Sequence, residues 1–347
     1  MRCGDFRETY AEDMAIFDTA FSRRLLVLFL AALLALPLAL GSYWMDVLNR
    51  ICIAVIAATG LNILTGFTGQ ISLGNAAFLA VGGYVTAWLG GRHGLPFPVV
   101  IPVAGVLTAL VGMVFGVPSL RLKGLYLAVA TLAAHFIIEF GATHWESMTG
   151  GVGGTSVPAA RLGPMELGDD RRLFYLVLPL TAGLLLFAKN LFRTKVGKAF
   201  VAIRDQDISA EVMGVHVFRY KLLSFGVSSF YVGVAGSLLA YQARIISPEN
   251  FPITVAIDQL GMIIIGGLGS ILGSIFGAVF VTLLPELLRL ATGALAGSFP
   301  ALTGLFASLK MGLFGLAIVL FLVFEPDGMA ARWHTIRNYW KLYPFSY

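Results

Sequence analysis

Few side chains of this 347-residue chain are placed to do covalent chemistry. His135 and Glu139 stand four apart, which on a helix puts an imidazole and a carboxylate on one face, the pair a proton relay or part of a metal site would need. Two groups are too few to hold a metal, and the spacing reads as a polar contact between helices near a membrane surface. The sequence contains no GxxxxGK[ST] phosphate loop, no GxSxG elbow, no HExxH and no CxxC pair. Cys3 and Cys52 form neither a disulfide framework nor a ligand pair, because Cys52 lies inside an apolar run. What remains is non-covalent chemistry: docking, and guiding a solute.

Charge is concentrated in one place. Phe192 to Lys221 carries nine charged residues, Arg193, Lys195, Lys198, Arg204, Asp205, Asp207, Glu211, Arg219 and Lys221. Within it Arg204, Asp207, Ile208 and Glu211 follow i, i+3, i+4, i+7 spacing, which predicts a single helical face flanked by Val201, Val212 and Val215. Such a helix suits docking into the groove of a soluble partner. From composition alone, a solvated connector between two spans is the better fit.

Everything around this stretch is apolar. Hydrophobic residues make up 58% of the chain and charged ones 12%, with 40 glycines and a mean hydropathy of +0.84. The apolar runs are continuous over about 17–22 residues, enough to cross about 30 Å of hydrocarbon as helix and too long for the alternating segments of a β-barrel. An all-α polytopic membrane protein of about ten transmembrane helices is therefore expected. The spans are drawn near 25–43, 47–66, 71–90, 97–118, 123–141, 173–191, 220–241, 254–268, 271–290 and 308–324. That count places Arg121, Lys123, the 192–219 loop and the basic tail on one side, as the positive-inside rule requires. The 254–291 stretch is the hard case, because one tilted helix would put the tail outside. Two spans joined at Gly266–Ser270 satisfy the rule. Residues 1–22 then form a cytoplasmic N-terminal segment, 23–325 the membrane domain with an outer loop at 142–172, and 326–347 a cytoplasmic tail. The net charge of +5 follows these topology determinants, not a nucleic-acid surface.

Two glycine-rich interruptions stand out within the apolar chain. Leu61 to Trp88 places Asn62, Thr65, Gln70, Ser72 and Asn75 at or near membrane depth, where polar groups and irregular backbone persist only against protein or a cavity. These residues are candidates for the translocation path. Plain packing of small residues explains the same pattern. The second interruption leads into Gly269, Gly273 and Gly277, a small-xxx-small ridge that reads as a helix-packing face.

Three blocks carry a resemblance: Gly60–Tyr84 (GLNILTGFTGQISLGNAAFLAVGGY), Thr149–Pro158 (TGGVGGTSVP), and Gly197–Val215 (GKAFVAIRDQDISAEVMGV) followed by Tyr220–Ala240. Together they resemble the permease subunits of branched-chain amino acid ABC importers, from about Asp46 to Gly328. The resemblance implies an ABC importer permease fold in a bacterial inner membrane, with both termini cytoplasmic. It also implies a second permease subunit, two ABC ATPases that bind ATP and Mg, and a periplasmic solute-binding protein. By it the 192–219 loop is the coupling element, with Gly197, Ala202, Arg204, Asp205, Asp207, Ala210, Glu211 and Gly214 at its docking positions. Thr149, Gly150, Gly151 and Gly154 mark the outer loop. This chain would supply no catalytic residue and hold no cofactor or metal.

Two departures are visible. Asp207 stands where the family usually has a Glu, and Val152-Gly153 follow the TGG where a polar or acidic pair is common. Similar permeases carry urea or short amides, which the blocks do not separate from amino acids. An ion-coupled carrier would want an ionisable group at mid-membrane, and Asp258, Glu286 and His135 lie toward span ends.

Overall fold

The computed structural model describes residues 20–119, 122, 124–162, 165–295, 306–325 and 327–342. The expectations for residues 1–19 and 343–347 fall outside the described residues. Thirteen helices are labelled here in chain order: α1 Ala20–Ala39, α2 Ser42–Thr65, α3 Asn75–Thr86, α4 Phe97–Ser119, α5 Leu125–His144, α6 Asp170–Leu191, α7 Lys195–Asp205, α8 Asp207–Val212, α9 Val217–Ala243, α10 Ile253–Gly266, α11 Ile271–Leu295, α12 Phe306–Phe324 and α13 Gly328–Leu342. A π-helical turn, Ala87–Arg92, extends α3.

Among the described residues six helices (α2, α4, α5, α6, α9 and α11) are long and apolar enough to cross a membrane. The other four expected spans coincide with α1, with α3 and its π-helical turn, with α10, and with α12. The 14-residue α10 rises only about 21 Å at 1.5 Å per residue. The 254–291 stretch is two helices joined at Gly267–Ser270, of which α11 alone is long enough to cross a membrane.

The core is built around α2 and α9, which bury 72% of their most apolar windows, whereas α5 and α6 bury 33% and α11 28%. Both central helices are rich in small residues, so neighbouring backbones come close. Gly60 illustrates the fit: a Cβ there would sit 2.9 Å from the Ser228 carbonyl oxygen and 2.7 Å from Tyr231 Cβ. Helices α3 and α4 pack on α9, and Tyr231, Phe225, Leu238, Ile56, Leu61 and Ile63 are fully enclosed. Tyr231, apolar but for its hydroxyl, donates to the Leu184 carbonyl at 2.7 Å, so the buried oxygen is satisfied.

The end of the molecule containing Ser42 is tied together by polar contacts. Ser42 donates to the Asp170 carboxylate at 3.3 Å and Asn49 to the Asp170 backbone carbonyl at 3.0 Å, fixing α2 to α6. Tyr43 donates to Glu286 of α11, and the Arg289 guanidinium stacks 4.4 Å from the Tyr43 ring centroid. Two short ladders lie at this end. β1 (Thr155–Ser156) pairs antiparallel with β4 (Ile245–Ile246), Thr155 opposite Ile246, and β2 (Ala160–Leu162) pairs with β3 (Met165–Leu167), Ala160 opposite Leu167.

Candidate functional site

The charged loop folds as two helices, not one. Thr194 caps α7, its Oγ1 accepting from the Gly197 N–H at 3.4 Å. Gly197 is required there, since a Cβ would be driven into the Leu191 carbonyl oxygen and the Phe192 backbone. The apolar side of α7, Ala199, Phe200 and Ile203, is buried, with the Phe200 ring edge-on to Tyr220 of α9. At Gln206 the backbone is extended (φ −163°, ψ 106°) and the helix ends. This corrects the single-face reading of Arg204, Asp207, Ile208 and Glu211, because Arg204 belongs to α7 and the other three to α8. The physical cause is local. The Asp-Gln-Asp run is poor helix interior, and Asp207 is favoured in the first turn of a new helix by the N-terminal partial charge. Lys221 of α9 holds the Asp207 carboxylate at 3.5 Å.

The break lifts α8 away from the body. Ala210 alone of its residues is buried, whereas Ile208 is 66%, Val212 82% and the adjoining Met213 84% exposed, with Glu211 exposed beside them. Gly214 closes the helix at φ 86°, and the Val215 N–H returns to the Ala210 carbonyl at 3.0 Å. Ala202 and Asp205 are exposed on α7.

Arg204, though its side chain is 38% exposed, reaches to the near edge of the membrane domain. Its Nη1 donates to the Gly66 carbonyl at 3.3 Å, while Nε and Nη2 hold Asp205 at 3.0 and 2.9 Å. Gly69 lies against its aliphatic stem and Gly269 against its guanidinium: Cβ atoms there would fall 3.3 Å from Cγ and 2.8 Å from Nη1. Both glycines adopt positive φ (72° and 70°). One guanidinium thus touches both glycine-rich turns. The Phe67 and Phe192 rings stack 3.6 Å apart beside it.

The two turns are also joined directly by Asn62. Its Nδ2 donates to the Ser270 carbonyl at 2.9 Å and Ser274 Oγ at 2.8 Å, and its Oδ1 accepts from the Gly269 N–H at 2.9 Å. Thr65 Oγ1 donates to the Gln70 carbonyl at 3.1 Å, and Gln70 Nε2 to Ser224 Oγ at 2.7 Å, leaving Gln70 Oε1 buried without a hydrogen bond. Ser72 Oγ accepts from the Gly74 N–H at 3.4 Å, and Asn75 donates to Gln259 of α10. All five candidate path residues are buried within this subunit. Their partners Ser224, Gln259 and Ser274 were not singled out from sequence; a polar residue inside an apolar run is the signal that could have found Gln259. The Gly269–Gly277 ridge is a packing face, with Gly273 against the Gly267 carbonyl and Gly277 against the Met262 carbonyl.

At the opposite end Thr149 Oγ1 donates to the Ala142 carbonyl at 2.7 Å and accepts from the Gly151 N–H at 3.1 Å. Gly150, Gly151 and Gly154 all take positive φ (74°, 62°, 71°), and Gly154 lets β1 reach Ile246. His135 Nε2 lies 3.7 Å from Glu139 on the same helix, the histidine buried and the carboxylate half-exposed, so the spacing does put them on one face; both imidazole nitrogens are buried without a hydrogen bond, and the expected polar contact between helices is not seen.

The sequence matches the family described as branched-chain amino acid transport system / permease component over residues 43–322. The chain belongs to this permease family. It is 31% identical over 330 residues to the high-affinity branched-chain amino acid transport system permease protein LivM of Escherichia coli (strain K12), covering 87% of this chain and 74% of that one. The LivM protein of Salmonella typhimurium gives the same identity and coverage. A probable branched-chain amino acid transport permease protein, LivH, of Methanocaldococcus jannaschii is 30% identical over 232 residues, 62% of this chain and 71% of that one. No solved structure matches the chain. As an ABC transporter permease it is a multi-pass membrane protein of amino-acid transport, and the family match spans α2 to α12.

Proposed function

We propose that this permease is one of two membrane subunits of an ATP-driven importer of branched-chain amino acids in a bacterial inner membrane. ATPases dock on α8, and a solute-binding protein delivers to the end bearing the Thr149–Gly154 turn. The observation that carries this reading is the exposed trio Ile208, Val212 and Met213 beside Glu211, on and just after a short helix outside the apolar spans. Large apolar side chains held in water at the tip of a charged loop are best explained by a protein partner that covers them. ATP and Mg bind in those partners, and this chain contributes no catalytic group.

Transmission follows from Arg204. Closure of the ATPase pair moves α8, α7 follows through the short Gln206 link, and Arg204 passes the movement to both glycine turns, hence to α2, α10 and α11. Gln70, with its unpaired carbonyl oxygen, and Asn75 are the residues of the first turn we assign to the solute path. The paired interface of two permeases would open alternately at its two ends.

The test is uptake of labelled leucine, isoleucine, valine and urea into proteoliposomes holding the complete importer. Wild type should take up the three amino acids only with ATP, and Ile208→Glu with Val212→Glu should reduce both ATPase co-purification and uptake at least about tenfold, as expected for two apolar anchors lost from an interface. Uptake by this chain alone on a sodium or proton gradient would replace the reading with an ion-coupled carrier. Uptake of urea alone would retain the machine and change its substrate.

A further inference from the structure

Helix α5 carries two polar side chains, Glu139 and His135, that neither docking nor transmission uses. Its ends are marked by exposed aromatics, Tyr126 and Trp145, residues that settle at the two surfaces of a bilayer. The helix between them rises about 28 Å, close to the roughly 30 Å of a hydrocarbon core. On this ruler Glu139 lies about 9 Å inside the Trp145 level. His135 lies about 15 Å inside, near the middle, because α5 runs past the end expected at 141.

Neither group has the partners that such a depth demands. The Glu139 side chain is 41% exposed, and among the described residues its charged neighbour is His135 at 3.7 Å, too far for a hydrogen bond. His135 is 1% exposed, with neither ring nitrogen hydrogen-bonded. A carboxylate turned toward lipid tails there would be costly, so the surface it faces is polar. Nor is a protein cation at hand. Helices α3 and α4 and the turns packed on α5, Glu146–Thr149, Gly151–Gly153 and Pro248–Asn250, hold no Lys or Arg and add Glu146 and Glu249. Arg92, at the Trp145 end, is bound to the Ser147 carbonyl at 2.9 Å. The charge balance of this corner is negative, and the group it suits is a cation.

The place of the pair along α5 identifies the cation. Toward the Trp145 end the helix is tied to the glycine turn, whose Thr149 donates to the Ala142 carbonyl at 2.7 Å. Toward the other end Thr131, one turn from His135 on the same face, accepts from the Leu73 N–H at 3.0 Å and so meets the turn bearing Gln70 and Asn75. Thr131, His135 and Glu139 thus form an i, i+4, i+8 stripe joining the two places assigned above to solute delivery and to the solute path. We propose that this stripe lines the path between them, with Glu139 accepting the ammonium of an α-amino acid and a His135 N–H donating to its carboxylate. The inference rests on the importer reading. Imidazole supplies the donor that a carboxylate lacks, so the pair reads both ends of a zwitterion. Phe136, exposed one turn from Glu139, offers the aliphatic side chain an apolar contact.

The complete importer, lacking Cys3 and Cys52 and carrying Phe136→Cys, would be treated with charged, water-soluble thiosulfonates. The thiol should react although it lies about 13 Å inside the Trp145 level, and about tenfold faster with a cationic reagent than with an anionic one. Glu139→Gln should abolish that preference. Leucine-loaded binding protein should slow the reaction, whereas sodium in place of choline should not. In proteoliposomes Glu139→Gln should lower leucine uptake at least about tenfold while subunit assembly and ATP hydrolysis persist, and Glu139→Asp should retain most of the uptake. A thiol that fails to react, because lipid or the partner permease covers this face, overturns the proposal. So do equal rates with the two reagents, a rate lowered by sodium, or undiminished uptake by Glu139→Gln. ATP-dependent uptake by the wild type is a separate readout, so the importer reading stands when this assignment alone fails.

Discussion

Asn62 is the residue on which the two interruptions of the apolar chain depend. A primary amide has two donors and a carbonyl oxygen, and here both kinds are used across the interface with the 267–274 segment. Replacing Asn62 by Ala leaves the Gly269 N–H, the Ser270 carbonyl and the Ser274 hydroxyl facing a gap. Hydrogen bonds between membrane helices are individually small, so three lost together should cost about 2 kcal/mol. Thermal unfolding of the detergent-purified chain measures this as a lowered midpoint. An unchanged midpoint with lost uptake would move Asn62 from packing to the solute path.

At the scale of elements, the informative unit is α7 with its single inward arginine. Arg204→Ala should leave ATPase co-purification through α8 intact yet cut uptake sharply, so that ATP hydrolysis continues without transport; Arg204→Lys should be almost as poor, because an ammonium lacks the fork that serves Asp205 and Gly66 together. Measuring hydrolysis and uptake on the same proteoliposomes separates the two, and parallel loss of both would place Arg204 in docking. Much of this architecture was legible in the sequence. Continuous apolar runs gave the helices, the positive-inside rule divided 254–291 into α10 and α11, and the glycine ridge gave a packing face. The break at Gln206 was hidden because the i, i+3, i+4, i+7 spacing continues through it. The Arg204–Gly66 contact joins residues 138 apart, a distance over which helical spacing says nothing. Two-residue strands such as β1 and β4 are too short to show a period of two, so the ladder that ties the 142–172 loop to the end of α9 had no sequence signal.

For the whole molecule the orientation proposed here is directly measurable. Among the described residues Met213 and Val152 lie at opposite ends, one on the loop after α8 and one in the glycine turn after α5, and both are well exposed. In a background lacking Cys3 and Cys52, Val152→Cys should react with a membrane-impermeant maleimide added to whole cells with a permeable outer membrane. Met213→Cys should react only after the inner membrane is opened. The reverse pattern would invert every span and move docking to the outside.

The double attachment of α2 has a mechanical side. One end is secured to α6 and α11 through Ser42, Asn49 and Tyr43, the other to the second turn through Asn62 and to α7 through Arg204, and most of the length between is encased. Such a helix cannot bend separately from its surroundings, so the subunit behaves as a stiff lever. Over the 24 residues of α2, about 36 Å, a tilt of about 10° imposed at α8 displaces the far end by about 6 Å. In the orientation proposed above, a nudge applied in the cytoplasm would then arrive at the opposite membrane surface undiminished, on a scale comparable to the width of an amino acid.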